Sequence, residues 1–477
     1  MAPRTRLRRS RYRVLPRWMT SKRTVVAVVV VVAAIGGVFA YRTLDGLAHL
    51  FHTNVGSVVG SLVRGESGSK IQNNQVAEDQ RINIALYGYG GAGHDGAYLS
   101  DSIMVISIQP HATGPPQVAE ISIPRDWYVP MYNAAGKKVD EGKINQAYSD
   151  GVLDGDGGVQ AGQEDAGGAM ADAALSHLLG IPIDYFVGLD FTAFKQGVDA
   201  VGGIDIDVPV SFFDPQYPSC DADTCPYTEI SFKAGEQHMS GATALEYARS
   251  RHGDNGQGTD FARSQRQQQI LTAIKAKVLS IGGIGDLPSL LDALGGNVDT
   301  NMTLDDVEAI YNLVKGVNST SIVHAGLDAT NFLYECNVPT CAADYLYADD
   351  GSYATIDHFI QKVFAPPASL GEDPHVGIED GSGTGNGASA RWVGIFGDLG
   401  WSTQDLGRVP TTSGTAVIDQ SGGTETAAAK WFAAYFGVPV TTVSPPSPGA
   451  TGSADGVTII LGQDEESAFN HDPGYGS

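Results

Sequence analysis

From Thr24 to Tyr41 the chain runs 18 residues without a charged side chain. At about 1.5 Å per residue, a helix of that length reaches about 27 Å, enough to cross the hydrocarbon core of a bilayer. Arg4, Arg6, Arg8, Arg9, Arg11, Arg13, Arg17, Lys22 and Arg23 precede the run, with no acid among them. A basic flank stays on the cytoplasmic side of a membrane, so everything after Arg42 is expected outside the cell membrane, held by a single pass. A cleaved signal peptide ending near Val38-Phe39-Ala40 is the alternative. The uncharged run exceeds the usual signal core of about 7–15 residues, which favours a retained anchor.

The rest of the chain is acidic. The formal charge is −24 even with that basic flank, and acids number 54 against 30 bases overall. Such a body repels nucleic acid, whose binding depends on lysines and arginines that neutralise phosphates. Hydrophobic residues make up 42%, enough for real cores. The four cysteines form two local pairs, Cys220/Cys225 and Cys336/Cys341. In an oxidising compartment two short-loop disulfides are expected, whereas structural zinc normally uses closer Cys-x2-Cys spacing.

Strand-like runs at Ile82–Leu86, Ser102–Ile108 and Val118–Ile123, the last ended by Pro124, alternate with helical periodicity. The helical stretches are Ala169–Leu179, Thr192–Ala200, Gly241–Ala248 and Asp260–Leu279, and Thr303–Glu308 carries a capping-box pattern. The expected fold is α/β, a layered sheet flanked by helices, followed by a small C-terminal α/β domain. The expected organisation is a basic cytoplasmic tail at 1–23, a transmembrane helix at 24–41, a stalk at 42–80 and a catalytic domain at 81–328. An extension with linker follows at 329–390, then the small domain at 391–464 and an acidic tail at 465–477.

Arginines form the strongest chemical signal. Arg249 and Arg251 lie two apart, so an extended chain puts both on one side. In a helix, Asp260, Arg263 and Gln267 share a face with Arg266 beside them, and Thr259 or Asp260 can cap it. Arg125 follows a strand in Ser122-Ile123-Pro124-Arg125-Asp126. Converging guanidiniums in an acidic protein suit a phosphate or pyrophosphate, because each offers a planar two-donor fork. The glycine-rich loop Tyr87–Gly96 lacks the Lys-Ser/Thr of a P-loop. Asp101, after it, offers hard oxygens for Mg2+.

Together Leu99–Ser102, Ser122–Asp126, Lys143–Tyr148, Val201–Pro209, Tyr247–Arg251 and Asp260–Gln267 resemble the LytR-CpsA-Psr family of cell-wall glycopolymer transferases. The segment Ala416–Asp464 is similar to the C-terminal LytR-type domain of many members. The resemblance implies a phosphotransferase that moves a polyprenyl-pyrophosphate-linked glycan onto peptidoglycan, with the lipid in an apolar tunnel. It implies pyrophosphate binding by Arg125, Arg249, Arg251, Arg263, Arg266 and Gln267. The implied catalytic set is Asp101, Arg125, Asp126 and Asp260, with Asp101 a ligand of Mg2+. One departure stands out: where the family usually has Gly-x-Asp-x-Arg, Gly88-Tyr89-Gly90 places glycine at the aspartate, and Leu99 replaces a frequent arginine. His94 or Asp95 could compensate; otherwise metal binding is expected to be weaker. A pyrophosphatase that releases the glycan to water, and a non-catalytic wall-binding or regulatory protein, are the competing functions.

Overall fold

The computed structural model describes residues 80–464 except 92–93, 95, 112–114, 134, 154–165, 220–224, 281–297, 319–321, 329–330, 336–344, 349–352, 365–374, 384–386, 421–425 and 443–455. The expected anchor, stalk and acidic tail therefore lie outside the described residues, as do Asp95, Cys220, Cys336 and Cys341. Among the described residues no helix is long and apolar enough to cross a membrane.

A mixed six-stranded sheet forms the centre, in the spatial order Val298–Thr300, Tyr185–Asp190, Ile82–Tyr89, Ser102–Gln109, Gln117–Ile123 and Ile322–Gly326. The Ile82–Tyr89 strand runs antiparallel to Ser102–Gln109 and parallel to Tyr185–Asp190. Its alternate side chains enter two different cores: Ala85, Tyr87 and Tyr89 face one, Ile82 and Ile84 the other. The helix Ala166–Leu179 covers the first face through Met170, Ala174 and Leu178. The helix Leu304–Val314 covers the second through Ala309 and Ile310. With both faces covered, the strand is buried almost throughout. Thr303 and Asp306 form the expected capping box, the Asp306 amide donating to the Thr303 hydroxyl at 3.2 Å and the Thr303 amide to the Asp306 carboxylate at 2.8 Å.

A third core, built from Phe212, Phe232, Tyr247 and Ile270, joins the hairpin Phe212–Pro218/Tyr227–Phe232 to the helices Gly241–Arg249 and Asp260–Ser280. It sits beside the sheet and presents the arginine-bearing segments to it.

Residues from Val376 onward form a second sheet of five strands, ordered Thr403–Arg408, Val376–Asp380, Val457–Leu461, Ala416–Asp419 and Val440–Thr442. Three of these strands, Val376–Asp380, Thr403–Arg408 and Val440–Thr442, were not expected, and the first lies inside the stretch read as linker. Its apolar content is masked in the sequence by flanking glycine, proline and acid. Trp392, Phe396, Phe432 and Phe436 pack under this sheet, and their core is continuous with Ile356, Phe359 and Ile360 of the helix Ala354–Lys362. His358 Nε2 lies 2.8 Å from the Tyr435 carbonyl oxygen across that seam.

Candidate active site

A cavity of about 340 Å³ lies between the ends of the central strands and the helix Asp260–Ser280. The sheet contributes Leu86, Met104 and Leu189, the helices contribute Phe191, Phe194, Leu245, Ile270 and Leu271, and the hairpin adds Tyr217. Into the same wall project Asp101, Arg249, Arg251, Arg263 and Gln267. The Asp101 side chain is 48% exposed, so the charged part of the wall reaches solvent. An apolar chamber with a cationic rim suits a molecule that is lipid at one end and anionic at the other.

Each charged group is held in place. Arg125, leaving the end of the Gln117–Ile123 strand, donates from Nη1 to Asp101 at 2.6 Å and from Nε to Asp126 at 3.1 Å. Asp126 also takes Lys143 Nζ at 2.6 Å. Burial alone would raise the Asp101 pKa, but the adjacent Arg125, with Arg251 and Arg263 further away, outweighs it and holds the carboxyl below the usual range. The Arg249 guanidinium lies 4.0 Å over the Phe191 ring and 5.6 Å from that of Tyr217, a cation–π arrangement that fixes its plane. Gln267 accepts from the Ser102 hydroxyl at 3.1 Å, tying the arginine helix to the sheet. Thr259, rather than Asp260, caps that helix, accepting from the Ala262 amide at 3.1 Å. The Asp260 side chain lies outside the described residues.

Arg266 departs from the expected grouping. Its side chain is 1% exposed and does not line the cavity. Nε donates to the Tyr247 carbonyl at 2.8 Å, Nη1 to the Gln257 carbonyl at 2.8 Å and Nη2 to the Ser250 carbonyl at 2.6 Å. Three residues after Arg263 it lies beside it on the helix, yet it packs over the Phe212 and Tyr247 rings, where it braces the segment bearing Arg249 and Arg251. Arg125 and Asp126 also stand beside the cavity rather than in its lining.

Sequence reasoning missed a second brace. Asp214 is fully buried and accepts from the Ser250 hydroxyl at 2.6 Å and from the amides of Gln216, His252 and Arg251 at 2.9, 3.1 and 3.2 Å. Burial acts to raise its pKa, but the Ser250 hydroxyl and those three amides prevail and lower it. The available signal was an acid inside the apolar run Phe212-Phe213-Asp214, which a buried strand tolerates only with partners. Asp190 was missed as well: it lines the cavity while capping the helix Phe191–Ala200 through the Ala193 amide at 2.7 Å.

For a metal, Asp101 supplies one hard carboxylate. Among the described residues no group of three or more His, Cys, Asp or Glu side chains could hold an ion by itself. A Cβ at Gly90 would stand 2.3 Å from His94 Cγ, so the histidine ring fills the space a second carboxylate would need. His94 meets the Phe191 ring edge-on at 5.4 Å, which ties it to the ring under Arg249. The next residue, Gly91, has φ of 91° and approaches Asp190 closely enough that a Cβ would lie 2.9 Å from its carboxylate.

The model of the LytR_cpsA_psr family matches residues 55–355. Similar curated proteins include the polyisoprenyl-teichoic acid–peptidoglycan teichoic acid transferase TagV of Bacillus subtilis (strain 168), 30% identical over 297 residues, 61% of this chain and 66% of that protein. The matched part thus spans just under two thirds of TagV. The corresponding transferase TagU of Bacillus mycoides (strain KBAB4) is 28% identical over 311 residues, 64% of this chain and 88% of that protein. The crystal structure of B. subtilis TagV is similar at 27% identity with a TM-score of 0.45, over 60% of this chain and 98% of that one. The family match takes in the central sheet, the cavity and every arginine around it, and the chain belongs to the LytR_cpsA_psr family.

Proposed function

We propose that this protein transfers a glycopolymer from a polyprenyl-pyrophosphate carrier to peptidoglycan on the outer side of the cell membrane. The observation that carries the proposal is the cavity itself: apolar along most of its wall, with Arg249, Arg251 and Arg263 gathered where Asp101 reaches solvent. The names of TagV and TagU, which describe transfer of teichoic acid from a polyisoprenyl carrier to peptidoglycan, support the same chemistry.

In this reading the polyprenyl chain lies against Leu86, Met104, Phe194 and Ile270, and the pyrophosphate meets the arginines. A hydroxyl of a wall sugar attacks the phosphorus nearest the glycan. The new O–P bond replaces the P–O–P bond, and polyprenyl phosphate leaves. Such a reaction needs positioning and charge neutralisation more than a covalent nucleophile. Arg125, clamped between Asp101 and Asp126, presents a fixed fork to the developing charge. The guanidiniums around Asp101 favour its ionised form, and the proton of the attacking hydroxyl is taken up by the departing polyprenyl phosphate. Mg2+ would bind through Asp101 together with the phosphate oxygens of the donor, adding charge neutralisation.

Incubation of the protein with a labelled polyprenyl-pyrophosphate glycan and peptidoglycan tests the proposal. Label bound covalently to the wall polymer is the expected outcome. Release of free glycan would favour a pyrophosphatase, and tight binding without turnover a non-catalytic role. Membrane anchoring through Thr24–Tyr41 and the bridges Cys220–Cys225 and Cys336–Cys341 belong to this reading, supported by the basic flank and the cysteine spacing. Protease treatment of intact spheroplasts and non-reducing peptide mapping check them.

A further inference from the structure

Next to Arg125–Asp126, four tyrosines that do not line the cavity form a continuous aromatic surface. Tyr128 stacks on Tyr345 with centroids 5.1 Å apart and planes 19° apart, and lies 5.5 Å from Tyr347. Tyr334 extends the row, 5.8 Å from Tyr347. The rings come from three strand segments, Tyr334 lying on Leu333–Glu335, which pairs with Leu346–Ala348. Tyr128 follows Trp127 directly after Arg125–Asp126, while Tyr345 and Tyr347 flank Leu346, whose amide donates to the Asp126 carbonyl at 3.0 Å. Lys143 completes the link, its Nζ 5.0 Å over the Tyr345 ring and 2.6 Å from Asp126. Contacts therefore run unbroken from Tyr345 through Lys143, Asp126 and Arg125 to Asp101.

These rings are not a core. Tyr334 is 41% exposed and Tyr128, Tyr345 and Tyr347 are half-buried, so part of each side chain reaches water, while the Tyr128 hydroxyl is turned to Glu141 at 3.5 Å. The fringe is mixed in sign: Lys143 is paired with Asp126 and Lys138 with Glu141, whose carboxylate also takes the Tyr128 hydroxyl. A polyphosphate gains little on such a surface. A neutral pyranose chain matches it, because sugar rings turn axial C–H groups toward aromatic faces and equatorial hydroxyls and amides toward carboxylates at the rim.

The geometry points to a saccharide subsite on Tyr128, Tyr334, Tyr345 and Tyr347 that holds the acceptor peptidoglycan strand, its hydroxyl directed toward Arg125. This rests on the transferase reading, since it supplies that reaction's second substrate. The donor's phosphates have their own cationic wall on Arg249, Arg251 and Arg263, in a cavity that none of these tyrosines lines, which leaves the neutral platform for the acceptor.

The test uses the full chain in detergent micelles, with soluble glycan strands of alternating N-acetylglucosamine and N-acetylmuramic acid as the probe. Losing one stacking ring should weaken strand binding about tenfold in Tyr334→Ala and in Tyr347→Ala. Tyr347→Phe, which keeps the ring, should stay within about twofold of wild type, and polyprenyl-pyrophosphate affinity should be unchanged in all three. In the transfer assay the two alanine variants should raise KM for the acceptor with kcat retained. The solvent-exposed Tyr334 serves as a variant with little bearing on folding. Strand binding equal to wild type in both alanine variants overturns the subsite, as does a raised KM for the donor with acceptor KM unchanged. Strand binding that depends on the tyrosines without transfer by wild type would instead overturn the transferase reading and leave the platform standing.

Discussion

Arg263 and Arg266 occupy the same helix one turn apart, yet the structure uses them oppositely. Arg263 faces the cavity and acts with Arg251 on Asp101, where a ligand's phosphates would lie. Arg266, beside it, turns instead into the Phe212 and Tyr247 rings, and three backbone carbonyls take its guanidinium. Asp214 does the same work from the other side, gathering the Ser250 hydroxyl and the amides of Arg251 and His252. One layer faces the cavity, and the other fixes the chain that carries the first. A site whose backbone is already fixed loses little freedom on binding, so its guanidiniums act at near full strength.

The largest effect should come from the rear layer. Arg266→Met preserves much of the side-chain volume but leaves three carbonyls without donors, so it should destabilise the fold by about 3–5 kcal/mol. A denaturant midpoint within about 0.5 kcal/mol of wild type would erase the distinction between the layers. The front layer should respond the other way. Arg249→Lys or Arg263→Lys keeps the charge but loses the planar fork, weakening polyprenyl-pyrophosphate affinity by about 10- to 150-fold, or about 1.5–3 kcal/mol, with little change in stability. If both lysine variants, and Arg251→Lys with them, bind like wild type, the front layer is not a pyrophosphate site.

The smallest effect, and the most specific, concerns acid. The lowered pKa of Asp214 means its contribution to stability is complete above the ordinary aspartate value of about 4 and is lost as pH falls through the lower folded value. Asp214→Asn should therefore cost about 1–2 kcal/mol at neutral pH and show a flatter decline in stability below about pH 4. Parallel pH profiles of the two proteins would remove Asp214 from the rear layer.

Much of the fold and most of the site are legible in the residues themselves. The first three strands read correctly because each is an apolar run bounded by glycine or proline, and Thr303 announces its helix through the acid three residues on. The convergence of Arg125, Arg249, Arg251, Arg263 and Gln267 around Asp101 also follows from motifs and their spacing. The strands Val376–Asp380 and Thr403–Arg408 do not read. The first is five residues long among turn formers, and the second, Thr-Gln-Asp-Leu-Gly-Arg, is a polar edge strand with no clean alternation.

The sequence by itself determined the family, the acidic character of the body, the first three strands of the central sheet and the arginines Arg249, Arg251 and Arg263 of the cavity. Those are properties of residue type and local spacing, which periodicity and motif preserve along the chain. Only the tertiary structure decided which arginine meets the cavity and which is buried. Helical spacing gives a side chain's direction relative to its neighbours, not what lies opposite, and the Phe212, Phe232 and Tyr247 core came to lie on Arg266's side. The same holds for the tyrosine surface. Tyr128 and Tyr345 are far apart in sequence and stack because the bridge between Trp127 and Leu346, with the Leu346 amide bonded to the Asp126 carbonyl, seats a distant strand beside Arg125.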